Sequence, residues 1–162
     1  MMFNKGIILG HHISGDGIKV DESKVEVISK ILVPTLQRDV RSFLGFTGYY
    51  RRIIEKFTKI TSPLFKLLTK ECDFVWNSDC QKAFESLKQE IIEASILRGP
   101  NWSLPFQISI DSSNINLGSL LGLKDLTPYA IYYTNKNLIP VELNYMVTKN
   151  EFLAVIHAIN KF

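Results

Sequence analysis

The residues able to do chemistry fall in two places. The first is Val40-Arg-Ser-Phe-Leu-Gly-Phe-Thr-Gly-Tyr-Tyr-Arg-Arg-Ile-Ile54, which sets two glycines, two tyrosines and three arginines in an apolar frame. From Arg38 to Lys70 the bases are Arg38, Arg41, Arg51, Arg52, Lys56, Lys59, Lys66 and Lys70, and the acids only Asp39 and Glu55. Basic charge gathered in one segment is the footprint of a phosphate-binding surface. A solvated helix face is the plainer reading of the same charges. The second place holds two acids. Asp111 ends the alternating run Phe106-Gln-Ile-Ser-Ile-Asp111; strands disfavour Asp, so a functional role is favoured over a turn role there. Glu151 closes Thr148-Lys-Asn-Glu151, the spacing of a capping box, with Val147 and Phe152 placed as its hydrophobic staple. His11, His12 and His157 have no partner at metal-ligand spacing, and Cys72 and Cys80 form no C-x-x-C pair, so neither zinc nor a disulfide is implied.

Elements must position these residues. Residues 6–13 and 17–20 are short apolar runs joined by Ser14-Gly-Asp-Gly17, which reads as a β-hairpin. Asp21 is placed to cap a helix over 22–31. After Pro34, Leu36, Val40, Phe43 and Leu44 recur at helical spacing, and Gly45 and Gly48 allow a bend near that helix's end. Residues 51–57 read as another short turn of helix, and Ser62-Pro63 as a helix start before Leu64, Leu67 and Leu68. Asn77-Ser78 caps a helix whose stripe is Ala83, Phe84, Leu87 and Ile91. Gly99, Pro100, Asn101 and Pro105 mark the best domain boundary. Beyond it the period becomes two: strands are predicted over 106–111, 117–123 and 128–134, then a helix from about Lys149. Trp76 and Trp102 are predicted to pack. The chain of 162 residues is 46% hydrophobic and 22% charged, with a net charge of +3, as in ordinary globular proteins. It has no apolar run of about 18 residues and no secretory signal arrangement, so an intracellular, cytoplasmic or nuclear location is expected.

Residues 40–54 resemble the thumb signature of reverse transcriptases from Gypsy-type LTR retrotransposons, of the form R-S-F-L-G-x-x-x-Y-Y-R-R-F-I. Residues 106–113 with Leu117-Gly-Ser-Leu-Leu121 resemble the opening of the RNase H domain that follows, F-x-L-x-T-D-A-S … G-A-V-L. Residues 143–159 resemble its x-N-Y-x-x-T-E-K-E-L-L-A-V-V-x-A-L run. Residues 6–13 look like the last palm hairpin, and Phe74-Val-Trp76 with the following helix is family-like. The resemblance therefore spans nearly the whole chain from Gly6.

It implies an α+β fold: a palm-end β-hairpin over 1–20, a helical thumb and connection over 21–98, and a truncated RNase H-like mixed α/β domain over 104–162, built as a three-stranded meander plus a helix. It makes Asp111 and Glu151 two RNase H carboxylates for Mg²⁺ or Mn²⁺, in a site that needs about four acids. The other acids are expected from segments downstream. It makes Arg51, Arg52, Lys56 and Lys59 phosphate contacts, with Tyr49 and Tyr50 either near the sugar or part of the thumb core. The implied partners are the backbone of an RNA–DNA hybrid or DNA duplex and the rest of the Pol polyprotein. No Y-x-D-D polymerase motif occurs. The sequence departs from the family pattern at Ile110, Ser112, Asn116, Tyr133-Thr-Asn-Lys136 and Lys149. The parent activities would be RNA-directed DNA polymerisation and cleavage of the RNA in a hybrid, with this chain expected to perform neither alone. A non-catalytic nucleic-acid-binding module, or an inert or domesticated remnant, is the alternative. The second half is expected to be soft, or to lean on the thumb or on self-association.

Overall fold

The computed structural model describes residues 5–69, 73–94, 96–124 and 129–162. Its first sheet is a meander of three short strands, β1 (Lys5–Ile8), β2 (His11–Ser14) and β3 (Gly17–Val20), paired antiparallel in that order. The predicted two-stranded hairpin thus gains a strand. The apolar run over 6–13 folds back on itself at Leu9-Gly10, where φ is 50° and 75°. Two left-handed residues match the twist of a tight hairpin, although Leu seldom adopts that conformation. At Gly17, φ is 134° and an added Cβ would stand 2.2 Å from the Leu97 carbonyl oxygen. The approach is that close because Ile18 and Leu97 exchange two backbone hydrogen bonds, of 2.7 and 2.9 Å. Leu97, just before the predicted domain boundary, is thereby joined to the first sheet.

Four helices follow: α1 (Glu22–Lys30), α2 (Gln37–Gly48), α3 (Phe57–Lys66) and α4 (Ser78–Ile92). Asp21 precedes α1, but its carboxylate accepts the Ser23 hydroxyl rather than a backbone N–H. In α2, the Asp39 carboxylate accepts the N–H groups of Thr35 and Leu36, at 3.2 and 3.1 Å, which satisfies otherwise orphaned donors. That helix runs through Gly45 and ends at Gly48, where the chain enters turns, as glycines near its end allow. Two expectations fail next to it. Residues 51–56 are turns, not helix, and Lys56 is left-handed at φ 56°. The helix starts at Phe57, six residues before Pro63, because the apolar side chains of Phe57 and Leu64 must both face the core. Pro63 then lies inside α3, where its missing N–H leaves one turn unbonded.

The reading of α4 holds: the Asn77 side chain accepts the Cys80 N–H at 2.9 Å, and Ala83, Phe84, Leu87 and Ile91 are buried. Phe84 meets Phe43 of α2 at 4.6 Å between ring centroids. Val40, Tyr50, Ile54 and Leu64 complete this core, with Cys80 among them as a free thiol. Cys72 lies outside the described residues.

The second sheet is the predicted meander, β4 (Phe106–Ser112), β5 (Asn116–Leu123) and β6 (Tyr129–Asn137). Its register shifts at Leu121/Gly122, where an added Cβ would come within 2.9 Å of the Tyr129 carbonyl oxygen. Helix α5 (Val147–Lys161) packs Ala154 onto Leu117 and Leu138. The predicted capping box is absent. Met146 is the N-cap, so Thr148 is already helical and cannot cap; Val147 and Phe152, the predicted staple, are both 66% exposed.

Gly17→Ala should lower stability by about 3 kcal/mol, from steric overlap with the Leu97 carbonyl plus positive-φ strain. Gly15→Ala, with nothing within 4 Å of its added Cβ, should leave it nearly unchanged. Urea denaturation of the two variants checks this, and equal midpoints would show that the Ile18–Leu97 bridge does not constrain position 17.

Candidate nucleic-acid interface

The two halves of the chain meet where the turn over 51–56 lies along β6. The Tyr133 N–H donates to the Arg52 carbonyl at 3.2 Å, and the Arg52 guanidinium sits 5.4 Å from the centroid of the Tyr132 ring. This covers part of an otherwise open strand edge. Arg51, Arg52, Lys56 and Lys59 are all exposed. Lys56 pairs with the Glu55 carboxylate at 3.1 Å; among the described residues, no carboxylate lies within ion-pair distance of the other three.

The paired tyrosines have different fates. Tyr49 is 47% exposed, its hydroxyl donates to the Leu9 carbonyl at 2.5 Å, and its ring lies 5.0 Å from that of His11. Tyr50, for which a place near the sugar and a place in the thumb core are both open in the sequence, is 2% exposed and belongs to the helical core. Burial, followed by the neighbouring Tyr49 and Asp21, pushes the Tyr50 hydroxyl pKa up. The thumb-core alternative is the one this geometry supports.

Asp111 pairs across the sheet with Gly118, which pairs with Asn135. Directly opposed residues point to the same face, and on that face Asp111 borders a cleft lined also by Glu55, Lys56, Gly118, Tyr133 and Asn135. Lys56 holds its proton more tightly than usual, first through the Glu55 hydrogen bond and charge, with Asp111 adding to the effect. Glu151 is exposed on α5, which packs against Leu117 on the other face. The two acids thus lie on elements that touch, since α5 packs against β4 as well as β5.

Residues assigned no site role line a second cleft. Arg51 and Arg52 face Thr134, Lys136, His157 and Lys161 across about 160 Å³. His157 Nε2 lies 3.5 Å from the Thr134 hydroxyl. Its pKa is lowered by burial first and then by Lys136 and Lys161, against an opposing pull from Glu142. Lys136 Nζ is 2.6 Å from Glu142 Oε1, while the Ile139 N–H donates to Oε2 at 3.0 Å. The sequence reading left His157 as an isolated residue with a surface or packing role. The signal it held was local: His157 and Lys161 are four apart on one helix face, and Thr134 and Lys136 two apart on one strand face. Only the tertiary fold brings them to Arg51.

Residues 76–162 match the family described as an RNase H-like domain found in reverse transcriptase. The chain belongs to that family. It is 36% identical over 159 residues to the retrovirus-related Pol polyprotein from transposon 297 of Drosophila melanogaster. It is 29% identical over 153 residues to the transposon Tf2-3 polyprotein of Schizosaccharomyces pombe (strain 972 / ATCC 24843). These matches take in 95% and 93% of the chain but only 14% and 12% of the two polyproteins. By this similarity the chain corresponds to a segment of a Pol polyprotein. Its fold matches the foamy viral protease-reverse transcriptase in complex with dsDNA at a TM-score of 0.82, with 18% identity, over 99% of this chain and 34% of that one. Against the same protein in complex with an RNA/DNA hybrid the TM-score is 0.80, again with 18% identity, over 98% of this chain and 22% of that one.

The RNase H-like family membership makes the fit to a divalent cation the chemical question. Among the described residues no three His, Cys, Asp or Glu side chains are grouped to hold a metal ion. Asp111 and Glu151 are two acids where a two-metal centre needs about four, so these residues do not by themselves make up such a centre. Among the described residues, no helix is long and apolar enough to cross a membrane.

Two outcomes check this account. Tyr50→Ala should cost about 4 kcal/mol in urea denaturation, as for a deleted core aromatic, whereas Tyr49→Ala should cost about 1 kcal/mol, for one exposed hydrogen bond. The reverse order would remove Tyr50 from the core. Glu142 has its pKa lowered below 4.5, first by the Lys136 hydrogen bond and then by the Ile139 N–H. Its stabilisation is therefore fully present above its unfolded value and lost as pH falls through the lower folded value. Glu142→Gln should flatten the acid limb of a stability–pH profile below about pH 4.5, and an unchanged limb would mean that this carboxylate is not paired.

Proposed function

We propose that the chain is the palm-end, thumb and early RNase H-like segment of a Gypsy-type LTR-retrotransposon Pol protein, and that its part there is to grip the backbone of an RNA–DNA hybrid or DNA duplex. The observation that carries this reading is the row of exposed cations Arg51, Arg52 and Lys59, which folding leaves without acid partners among the described residues. Guanidinium groups suit phosphate oxygens, and such contacts position a duplex without reading its sequence. Lys56 joins them once it leaves Glu55. Tyr49 offers a partly exposed ring beside the arginines, and Tyr50 supports it from the core. The likeness to foamy viral protease-reverse transcriptase complexes with dsDNA and RNA/DNA hybrid supports the same reading.

In this reading the whole Pol protein is an RNA-directed DNA polymerase and hybrid-cleaving ribonuclease. The divisions 1–20, 21–98 and 104–162 are its palm end, thumb and connection, and RNase H-like parts. Asp111 and Glu151 are two of its Mg²⁺ or Mn²⁺ ligands, and other parts of Pol must supply the rest. The chain acts inside the cell, in cytoplasm or nucleus, beside the rest of Pol.

Titrating a labelled RNA–DNA hybrid in Mg²⁺ at several salt concentrations, with the product run on a denaturing gel, tests the proposal. Four phosphate contacts should give a slope of log affinity against log salt near −3.5, and Arg51→Ala/Arg52→Ala should reduce its magnitude by about 2. Binding without cleavage fits the chain as a grip. Cleavage abolished by Asp111→Asn would make it a nuclease in its own right, and absence of binding at low salt would sink the proposal.

A further inference from the structure

The cleft between the turn over 51–56, strand β6 and the end of α5 gathers Arg51, Arg52, Lys136, His157 and Lys161 from three separate segments. Lys136 is paired with Glu142; Arg51, Arg52 and Lys161 have no carboxylate within ion-pair distance among the described residues. Like charges held together in a partly enclosed space repel one another, and an anion between them reverses the sign of that interaction. We propose that this cleft is a phosphate site shared by the two halves of the chain, with Arg51 and Arg52 on one side of a nucleic-acid backbone phosphate and Lys136, His157 and Lys161 on the other. This rests on the duplex-binding reading and extends it: the grip belongs to the seam, not to the thumb alone.

Three further observations fit. The space of about 160 Å³ far exceeds the roughly 10–15 Å³ that admits a single water and leaves room for a phosphate group. The Arg52 guanidinium is placed against the Tyr132 ring, 5.4 Å from its centroid, and has no carboxylate within ion-pair distance among the described residues. The backbone bond from Tyr133 to Arg52 keeps the two walls in register before any ligand arrives. His157 gives the site a pH dependence. The charges facing it are Arg51 and Arg52 from the turn, Lys136 from β6, Glu142 from the loop after β6, and Lys161 from its own helix. The net positive surroundings and burial oppose its protonation; a bound phosphate favours it. Affinity should therefore rise as pH falls toward about 6.

The test is fluorescence anisotropy of the full chain with a labelled RNA–DNA hybrid, across salt, at about pH 6 and about pH 8. Lys161 lies in the exposed last turn of α5, so Lys161→Ala should keep its circular dichroism spectrum. It should weaken binding about fivefold at about 0.1 M salt and reduce the salt slope by about 0.9, with Lys161→Arg restoring both. His157→Gln should remove the difference between the two pH values. Lys82→Ala, exposed on α4 and away from the cleft, should change neither. If Arg51→Ala/Arg52→Ala lowers the slope while Lys161→Ala does not, the thumb grip stands and the shared site fails. If neither lowers it, both readings fail. Inorganic phosphate at about 10 mM serves as the free-anion probe in NMR of the His157 ring. A phosphate-induced shift, together with hybrid affinity indifferent to Lys161→Ala, would assign the cleft to small anions and overturn the backbone-phosphate assignment.

Discussion

The relation between the two halves of this protein depends on the seam where Tyr133 bonds to the carbonyl of Arg52. The bond does more than its own net strength of about 1 kcal/mol indicates. It fixes the turn over 51–56 against an exposed strand edge. That places Glu55 and Lys56 at the face bearing Asp111 and aims Arg51 and Arg52 at the end of α5. The seam joins that hydrogen bond and the Arg52–Tyr132 contact to partial apolar packing, in which Ala130 and Tyr133 of β6 lie half-buried against the helical core. Such a joint yields at lower cost than a core does. A duplex spanning both walls would therefore tighten the joint as it bound, since ligand affinity for the closed arrangement adds to its stability.

Most of the fold could be read in the residues wherever a local pattern agreed with the tertiary outcome. Helix α4 shows this: the Asn77 cap, a stripe three and four apart, and burial of Ala83, Phe84, Leu87 and Ile91 all coincide. The β4–β5–β6 meander was legible for the same reason. The failures share another cause, a local signal outvoted by the core. Ser62-Pro63 looks like a helix start, but Phe57 needs to be helical to reach the core beside Leu64. Thr148 looks like a cap, yet α5 begins at Val147. The turn at Leu9-Gly10 carries one glycine and a leucine, too little to announce a hairpin. The candidate site was half visible. The arginines stood out by their clustering, but nothing local tells that Lys136, His157 and Lys161 fold back onto them.

Helix α5 is apolar on more than one side. Its inner face, Ala154 and Ala158, is small and lets the helix lie close to Leu117. Phe152, Ile156 and Ile159 are 66%, 54% and 65% exposed on the outside. On β4, Phe106, Ile108 and Ile110 are also exposed, with Trp102, predicted to pack, 81% exposed beside Phe106. Apolar surface on more than one side of a helix calls for cover beyond the sheet it packs on. In contrast to the helical core around Tyr50, Leu64 and Leu87, the connected buried apolar cluster of this half consists, among the described residues, of Leu117, Leu138 and Ala154 with Leu153 packed against it. The second half is accordingly the part whose order relies most on what it contacts. The seam with the basic turn is one such contact among the described residues.

The charges arranged around that seam also bear on which chemistry is near at hand. A carboxylate serves a divalent cation best with other carboxylates around it and no ammonium nearby. Asp111 has Lys56 close enough to be felt, and Lys56 is shared with Glu55. No ion pair joins that lysine to Asp111 among the described residues, and Arg51, Arg52 and Lys59 carry no acid partner there either, so an incoming anion meets more unpaired charge at this seam than an incoming cation does. The difference has a structural basis: the bases sit on the turn and helix that the large core fixes, and Asp111 sits on the edge strand of the sheet with the small one.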